Sequence, residues 1–434
     1  MTRDLVKIQK AFETKIGRSD WKLIRRRELF QKRGWCAFYN PYNLGTVYFP
    51  SLFRSLIPQL EKLRNFESFQ KLHDVLCREY PDNSQSISFW TLLLDLLENG
   101  FLMKKNFDEN EEIREIKRNY KIKREAGHLL ILTSMECNYR CRYCYFGGDN
   151  GKETKKEVLS FDAARKGIDC FFKHMNSSSG TVKMVRFLGG EPLLHYDLID
   201  QILKYISQKK RDSRWRDLQF AYSIITNGSL LDKRWVKLFK KYRFDVCVSL
   251  DGRREINDKM RFTKDEQGGF DAAVKGIKLL NRYHLKPVIA MVVGSHNIGS
   301  LAEEARWLYR NLKIGSVSFN PMAHAKNDKL PAIGTDAVLK GLDVAYGKML
   351  KWDLAEREIV SRWSCFSQKG YSGNLCAAAQ SQMAIFPDGC IGPCPRYAKN
   401  NKEKEDISGA DIINGRLWRR WMSYNRFSNP QCFL

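Results

Sequence analysis

Residues 129–146 read LLILTSMECNYRCRYCYF, an apolar run that passes straight into a polar loop holding Cys137, Cys141 and Cys144. A short apolar run that stops at turn-forming residues predicts a buried strand. Cysteines separated by three and then two residues let one loop wrap a metal centre. Iron–sulfur clusters take thiolate ligands, usually four, so three cysteines leave one iron without a protein ligand. Structural zinc is the competing reading, but zinc usually wants four protein ligands and often paired C-x-x-C elements. Three free thiols this close together in an exposed loop need a reason.

Outward from this stretch the pattern repeats. Between residues 129 and 321, short apolar runs (KMVRFLGG, FAYSIITN, FDVCVSLD, PVIAMVVG, VSFNP) alternate with amphipathic segments (FDAARKGIDCFFKHM, YDLIDQILKYISQKK, RWVKLFKKY, FDAAVKGIKLLNRY, LAEEARWLYRNL). Near-continuous apolar strands separated by helices of period 3.6 mark a parallel sheet with crossover helices. The fold class is therefore α/β, and the repeats predict a partial (β/α)6 TIM-like barrel. In such folds chemistry gathers at the carboxyl ends of the strands. Each strand here ends in polar or glycine-rich sequence: the cysteine loop, Gly189-Gly190-Glu191, Thr226-Asn227-Gly228, Ser249-Leu250-Asp251-Gly252, Ser295-His296-Asn297 and Asn320-Pro321.

The flanks read differently. GWCAFYNPYNLGTVYFP (residues 34–50) predicts a hairpin, and FWTLLLDLLENGFLMKK (residues 89–105) a helix leading into a strand. Together they outline an N-terminal winged-helix-like module, joined to the barrel by a charged run from Asp108 to Glu125 that reads as an exposed helix or linker. After Pro321 the βα rhythm stops, and a loop-rich, cysteine-containing extension is expected. The expected boundaries are 1–125 for the module and linker, 126–325 for the barrel and 326–434 for the extension.

Composition bounds the function. With 43% hydrophobic residues in 434, the chain can bury a large core. The longest apolar runs fall short of a bilayer span, and MTRDLVKIQK lacks a signal-peptide core, so no membrane span and a cytoplasmic location are expected. Lysine and arginine total 74 against 49 acidic residues, a formal charge of +25. That charge favours encounters with acidic peptides, nucleic acid or anionic surfaces. The basic residues are spread along the chain, so a solvated basic surface is expected over a dedicated nucleic-acid site. Twelve cysteines without a secretory signal point to metal or catalytic use for those that cluster. Cys36, Cys77, Cys170 and Cys247 stand in apolar surroundings and read as small hydrophobes.

The loop C-x-x-x-C-x-x-C with Tyr143 before its third cysteine resembles that of the radical S-adenosylmethionine (SAM) superfamily. LGGEPLLH (188–195) is similar to the family's Gly-Gly-Glu segment, IITNGSLL (224–231) to its third-strand end, and SLDGRREINDKMR (249–261) to the fourth-strand motif of SPASM-type members. The resemblance implies that Cys137, Cys141 and Cys144 hold a 4Fe–4S cluster whose open iron is chelated by SAM. Reduction then yields a 5′-deoxyadenosyl radical that takes hydrogen from a substrate. Gly189 and Gly190 would allow close backbone approach to the ligand, and Glu191 would accept from its ammonium group. Ser249 and Asp251 would contact its ribose or methionyl end, and Arg261 would pair with a carboxylate. Ser249-Leu250-Asp251-Gly252 reads equally as a strand-ending turn, and Asn227-Gly228 as a turn signal.

The tail resembles the opening of the SPASM or twitch extension, which holds auxiliary clusters in peptide-modifying members. Cys365, Cys376, Cys394 and Cys432 would assemble at most one auxiliary iron–sulfur cluster, because the sequence stops two residues after Cys432 and the extension reads as shortened. Cys390 reads as a turn residue that packs or is exposed. The whole arrangement resembles maturases of ribosomally made peptides, which implies a peptide or protein substrate, an acidic leader peptide held by the N-terminal module, and a low-potential electron donor. Two other readings stand beside it: an enzyme similar to anaerobic sulfatase maturases, and a degenerate, non-catalytic binding protein.

Overall fold

The computed structural model describes residues 3–25, 27–32, 34–40, 46–79, 83–119, 127–144, 146, 157–174, 182–322, 333–354, 356–357, 382–395 and 405–406. The chain divides into two compact units, the first built on Met1–Lys121 and the second on Ile122–Val360.

The first unit contains α1 (Arg3–Ile16), β1 (Trp21–Leu23), β2 (Glu28–Lys32), β3 (Trp35–Tyr39), β4 (Thr46–Pro50), α2 (Ile57–Leu60), α3 (Phe66–Glu79), α4 (Asn83–Glu98), β5 (Leu102–Lys104) and α5 (Glu109–Asn119). The expected hairpin is present as β3 and β4, antiparallel with Ala37 opposite Tyr48, and β2 completes a three-stranded sheet. β5 pairs back to β1. Helices and sheet close over an aromatic core in which Phe12 meets Phe69 edge-on at 5.3 Å and Trp90 at 5.6 Å. Such aromatic pairs add about 0.5–1.5 kcal/mol beyond their burial. The charged run after Asp108 forms α5, which carries three acidic residues in its first turn, where they complement the positive end of the helix dipole.

In the second unit, six strands follow one another in parallel: β6 (His128–Leu132), β7 (Val182–Leu188), β8 (Gln219–Thr226), β9 (Asp245–Ser249), β10 (Val288–Val293) and β11 (Ser316–Pro321). Between them run α6 (Phe161–His174), α7 (Tyr196–Lys209), α8 (Lys233–Tyr242), α9 (Arg254–Met260), α10 (Phe270–Arg282) and α11 (Leu301–Leu312). Leu129 and Ile131 join the large core between sheet and helices, whereas Leu130 and Leu132 turn to the opposite face and meet Leu188 and Phe386. Alternation across the pleat thus gives the sheet two apolar faces, which is why its strands read as unbroken apolar runs.

Beyond β11 the chain is more regular than its sequence suggests. The helix α12 (Thr335–Lys351) precedes β12 (Gln382–Ile385), which pairs in parallel with β6, and β13 (Cys390–Gly392) and β14 (Glu405–Asp406) add antiparallel edges. The sheet order is β11-β10-β9-β8-β7-β6-β12-β13-β14. Weak amphipathicity in α12, which carries Gly341 and Gly347, and a strand of four residues leave little periodic signal. Of the tail cysteines, Cys390 and Cys394 are half-buried, while Cys365, Cys376 and Cys432 lie outside the described residues. No described helix is long and apolar enough to cross a membrane.

Candidate cofactor site

The loop after β6 is fixed to the strand ends around it. The backbone N–H groups of Arg140 and Arg142 donate to the carbonyls of Phe262 (2.7 Å) and Met260 (3.0 Å), tying the cysteine loop to the segment that closes α9. The Tyr139 hydroxyl donates to the Gly269 carbonyl at 3.2 Å. Asn138 donates to Ser229 Oγ and accepts from Asn227 Nδ2, both at 2.9 Å, so the turn after β8 is stitched to the same loop. Asn227 is thus both a turn former, with its Oδ1 taking the Ser229 N–H at 2.9 Å, and a cross-link.

Cys137, Cys141 and Cys144 are half-buried on this loop. Burial pushes the Cys137 and Cys141 thiols up to about 12, so as thiolates they require compensating positive charge. Metal coordination removes a thiol proton outright, and the buried Arg261 guanidinium beside Cys141 acts in the same direction. Among the described residues, no three of His, Cys, Asp or Glu converge as the ligands of a single ion do. A cluster places each thiolate on a different iron, so the three-cysteine loop suits an iron–sulfur cluster as a donor set.

The turn after β7 lies against the same loop. The Gly190 N–H donates to the Ser134 carbonyl at 2.8 Å and the Glu191 N–H to the Glu136 carbonyl at 2.7 Å. A Cβ on Gly190 would stand 1.9 Å from the Glu136 carbonyl oxygen, and Gly189 has φ +142°, a region that favours glycine. The close approach made by both glycines here is to the chain's own backbone at 133–136.

Glu191 is enclosed, accepting from Thr226 Oγ1 (2.6 Å), the Asn227 N–H (2.8 Å) and the Leu193 N–H (3.0 Å). Burial raises its carboxyl to about 7 against the pull of these hydrogen bonds. Because the folded value lies above the unfolded 4.5, the folded chain holds the extra proton between them, and its stability falls as pH rises from about 4.5 to 7. Melting temperatures of the metal-free chain across this window should fall with pH, and Glu191→Gln should flatten that part of the profile. An unchanged slope in the variant would contradict the assignment.

Asp251 and Arg261 meet across the ends of β9 and α9. Arg261 Nη2 donates to Asp251 Oδ1 at 2.9 Å, the Val292 N–H donates to the same oxygen at 2.9 Å, and the Tyr143 hydroxyl donates to Oδ2. The carboxylate that Arg261 pairs with is therefore the chain's own. Burial, the largest single influence, would raise the Asp251 carboxyl, but the Arg261 charge and the hydrogen bonds from His296, Arg261 and Tyr143 together outweigh it and hold the group at about 2. The Tyr143 ring has the Arg261 guanidinium 5.2 Å from its centroid and the His296 ring stacked at 6.0 Å. Ser249 ends β9, half-buried and opposite Ala290.

The structure brings the cysteine loop, Gly189 to Glu191 and Asn227 together through hydrogen bonds, and ties Tyr143 to Asp251 and Arg261. Sequence reasoning did not single out Asn138 and Tyr139, which anchor the loop. It named His296, whose Nε2 is 3.6 Å from Asp251 Oδ2, and Asn297, whose Nδ2 donates to the Val292 carbonyl at 2.9 Å, only as a polar strand end without a role. Their position at a strand end was the available signal.

Residues 131–308 match the model of the radical SAM superfamily, so the second unit carries a radical SAM domain. The chain is 34% identical over 171 residues to the cysteine-type anaerobic sulfatase-maturating enzyme of Clostridium novyi (strain NT), covering 39% of this chain and 44% of that enzyme. It spans less than half of that relative's length. It is 23% identical over 349 residues to the radical SAM cyclopropyl synthase TigE of Paramaledivibacter caminithermalis, covering 76% of this chain and 70% of that one. Among solved structures, Streptococcus suis SuiB bound to S-adenosylmethionine shares the fold, with a TM-score of 0.53, 16% identity and coverage of 95% and 92%. SuiB is also known bound to its precursor peptide SuiA.

Proposed function

We propose that this chain is a maturase of a ribosomally made peptide that uses a 4Fe–4S cluster and SAM to abstract hydrogen from its substrate. The observation that carries this reading is the extent of likeness to TigE, which covers 76% of the chain and so runs well beyond residues 131–308. Cys137, Cys141 and Cys144 hold the cluster, which with SAM supplies a 5′-deoxyadenosyl radical. Glu191 takes the ammonium group of SAM, while Gly189 and Gly190 keep the backbone close to the cysteine loop. Tyr143, Asn227 and Ser249 complete the pocket, with Asp251 and Arg261 holding Tyr143 in place.

The Met1–Lys121 unit is the winged-helix-like module that grips an acidic leader. β2 and β4 lie at the edges of its sheet and can add an extended peptide by main-chain hydrogen bonds, with the exposed Tyr48 on β4 alongside. A low-potential donor in the reducing cytoplasm supplies the electron. Cys394, with Cys365, Cys376 and Cys432, forms at most one auxiliary cluster. The 34% identity to the sulfatase-maturating enzyme favours a second reading, in which an active-site cysteine or serine of a sulfatase is oxidised.

The two readings separate on substrate dependence. Reconstituted chain with SAM and reductant should form 5′-deoxyadenosine several-fold faster with a short acidic-leader peptide encoded beside its gene, and that peptide should change mass. Turnover with a sulfatase peptide instead would establish the second reading; stimulation by neither would remove both.

A further inference from the structure

At the amino-terminal end of β8, the end of the sheet opposite the cysteine loop, a cleft of about 650 Å³ opens between the carboxyl ends of α7 and α8. Lys210, Arg211, Arg216, Lys241 and Arg243 line it, and no acidic side chain does. Among the described residues none of these five cations forms an ion pair. Lys210 and Lys241 instead rest over the rings of Phe220 (5.7 Å) and Tyr242 (5.0 Å). Tyr222, only 7% exposed, and Tyr242 also line the cleft, and among the described residues neither hydroxyl has a hydrogen-bond partner.

Cations near helix carboxyl ends ordinarily compensate the helix dipole, which accounts for Lys210 and Lys241. It extends to Arg243, which caps α8 in a left-handed conformation (φ 53°) as Lys210 caps α7, but not to Arg211 and Arg216, which lie beyond both caps. The cleft therefore gathers three arginine forks, two ammonium groups and two phenols, with no carboxylate in its lining. Arginine forks match the paired oxygens of phosphate. Five cations around one small cleft match an anion that carries several charges within a few ångströms, more closely than carboxylates spaced along a peptide.

We propose that this cleft binds a polyphosphate anion, inorganic or part of a nucleotide. β8 spans eight residues from the cleft to the turn that meets the cysteine loop, about 25 Å at the usual rise per residue. The ligand is therefore not the group from which hydrogen is taken, and the site is independent of the maturase reading.

Binding of inorganic tripolyphosphate and of ATP to the full chain, measured by calorimetry in near-physiological salt, tests this. The native chain should bind, and Arg216→Gln/Arg243→Gln should lose affinity by about tenfold or more, as removal of two phosphate-binding forks implies. The melting temperature of the free variant checks its folding. If that variant does not fold, Lys210→Gln/Lys241→Gln gives the same readout. ATP binding tighter than tripolyphosphate assigns a nucleotide, and equal binding assigns the phosphate chain alone. No binding of either probe at about millimolar concentration, unchanged affinity in the folded variant, or equal affinity for hexaglutamate would overturn the proposal.

Discussion

Anaerobic reconstitution of the native chain should yield about four irons per 4Fe–4S cluster, and the Cys137→Ala/Cys141→Ala/Cys144→Ala variant should lose that complement together with all 5′-deoxyadenosine formation. The expected loss of 5′-deoxyadenosine is complete rather than graded, since without the three thiolates this loop cannot hold the cluster whose open iron would take SAM. Iron and sulfide analysis counts the cluster, and chromatography of the SAM products measures the radical step. A variant that keeps about one cluster's worth of iron but makes no 5′-deoxyadenosine would locate a second cluster at the tail cysteines. A variant that cleaves SAM at the native rate would remove the loop from the chemistry, and iron in neither protein would return zinc to consideration.

The second large effect concerns stability. Asp251→Asn leaves the Arg261 guanidinium, 7% exposed, with an uncompensated buried charge. Breaking one partner of such a pair costs about 3–5 kcal/mol. Denaturant unfolding should show a loss of that size, and an apolar replacement of both residues should recover much of it. The native Asp251 carboxyl is held at about 2 against an ordinary 3.8, so its contribution is full above 3.8 and is lost as pH falls from there towards 2. A loss below about 1 kcal/mol, the range of exposed pairs, would show that the pair is hydrated and does little to hold Tyr143.

How much of this was legible in the sequence depends on how local each feature is. β6 to β11 announce themselves because both faces of the sheet are apolar and each strand stops at polar sequence. The cysteine loop and Gly189-Gly190-Glu191 announce themselves by spacing. The partner of Arg261 does not, since Arg261 meets Asp251 only after α9 has turned the chain back. The hydrogen bonds from Asn138 to Ser229 and from Asn227 to Asn138 span about 90 positions, and no periodicity encodes them. β12 is invisible for the same reason: four residues become a strand because β6 offers them an edge.

That pairing bears on the order in which the molecule is made. β6 carries the cysteine loop, yet one of its two neighbours is β12, with His128 opposite Gln382 and Ile131 opposite Ile385. Contacts between positions this distant form late, because the intervening chain must first be closed into a loop. On the ribosome, β6 can find β7 early but must wait for nearly the whole chain before its other side is covered. The strand that begins the parallel sheet is thus among the last to be finished, and a chain interrupted before Gln382 would leave an unpaired edge beside its three cysteines.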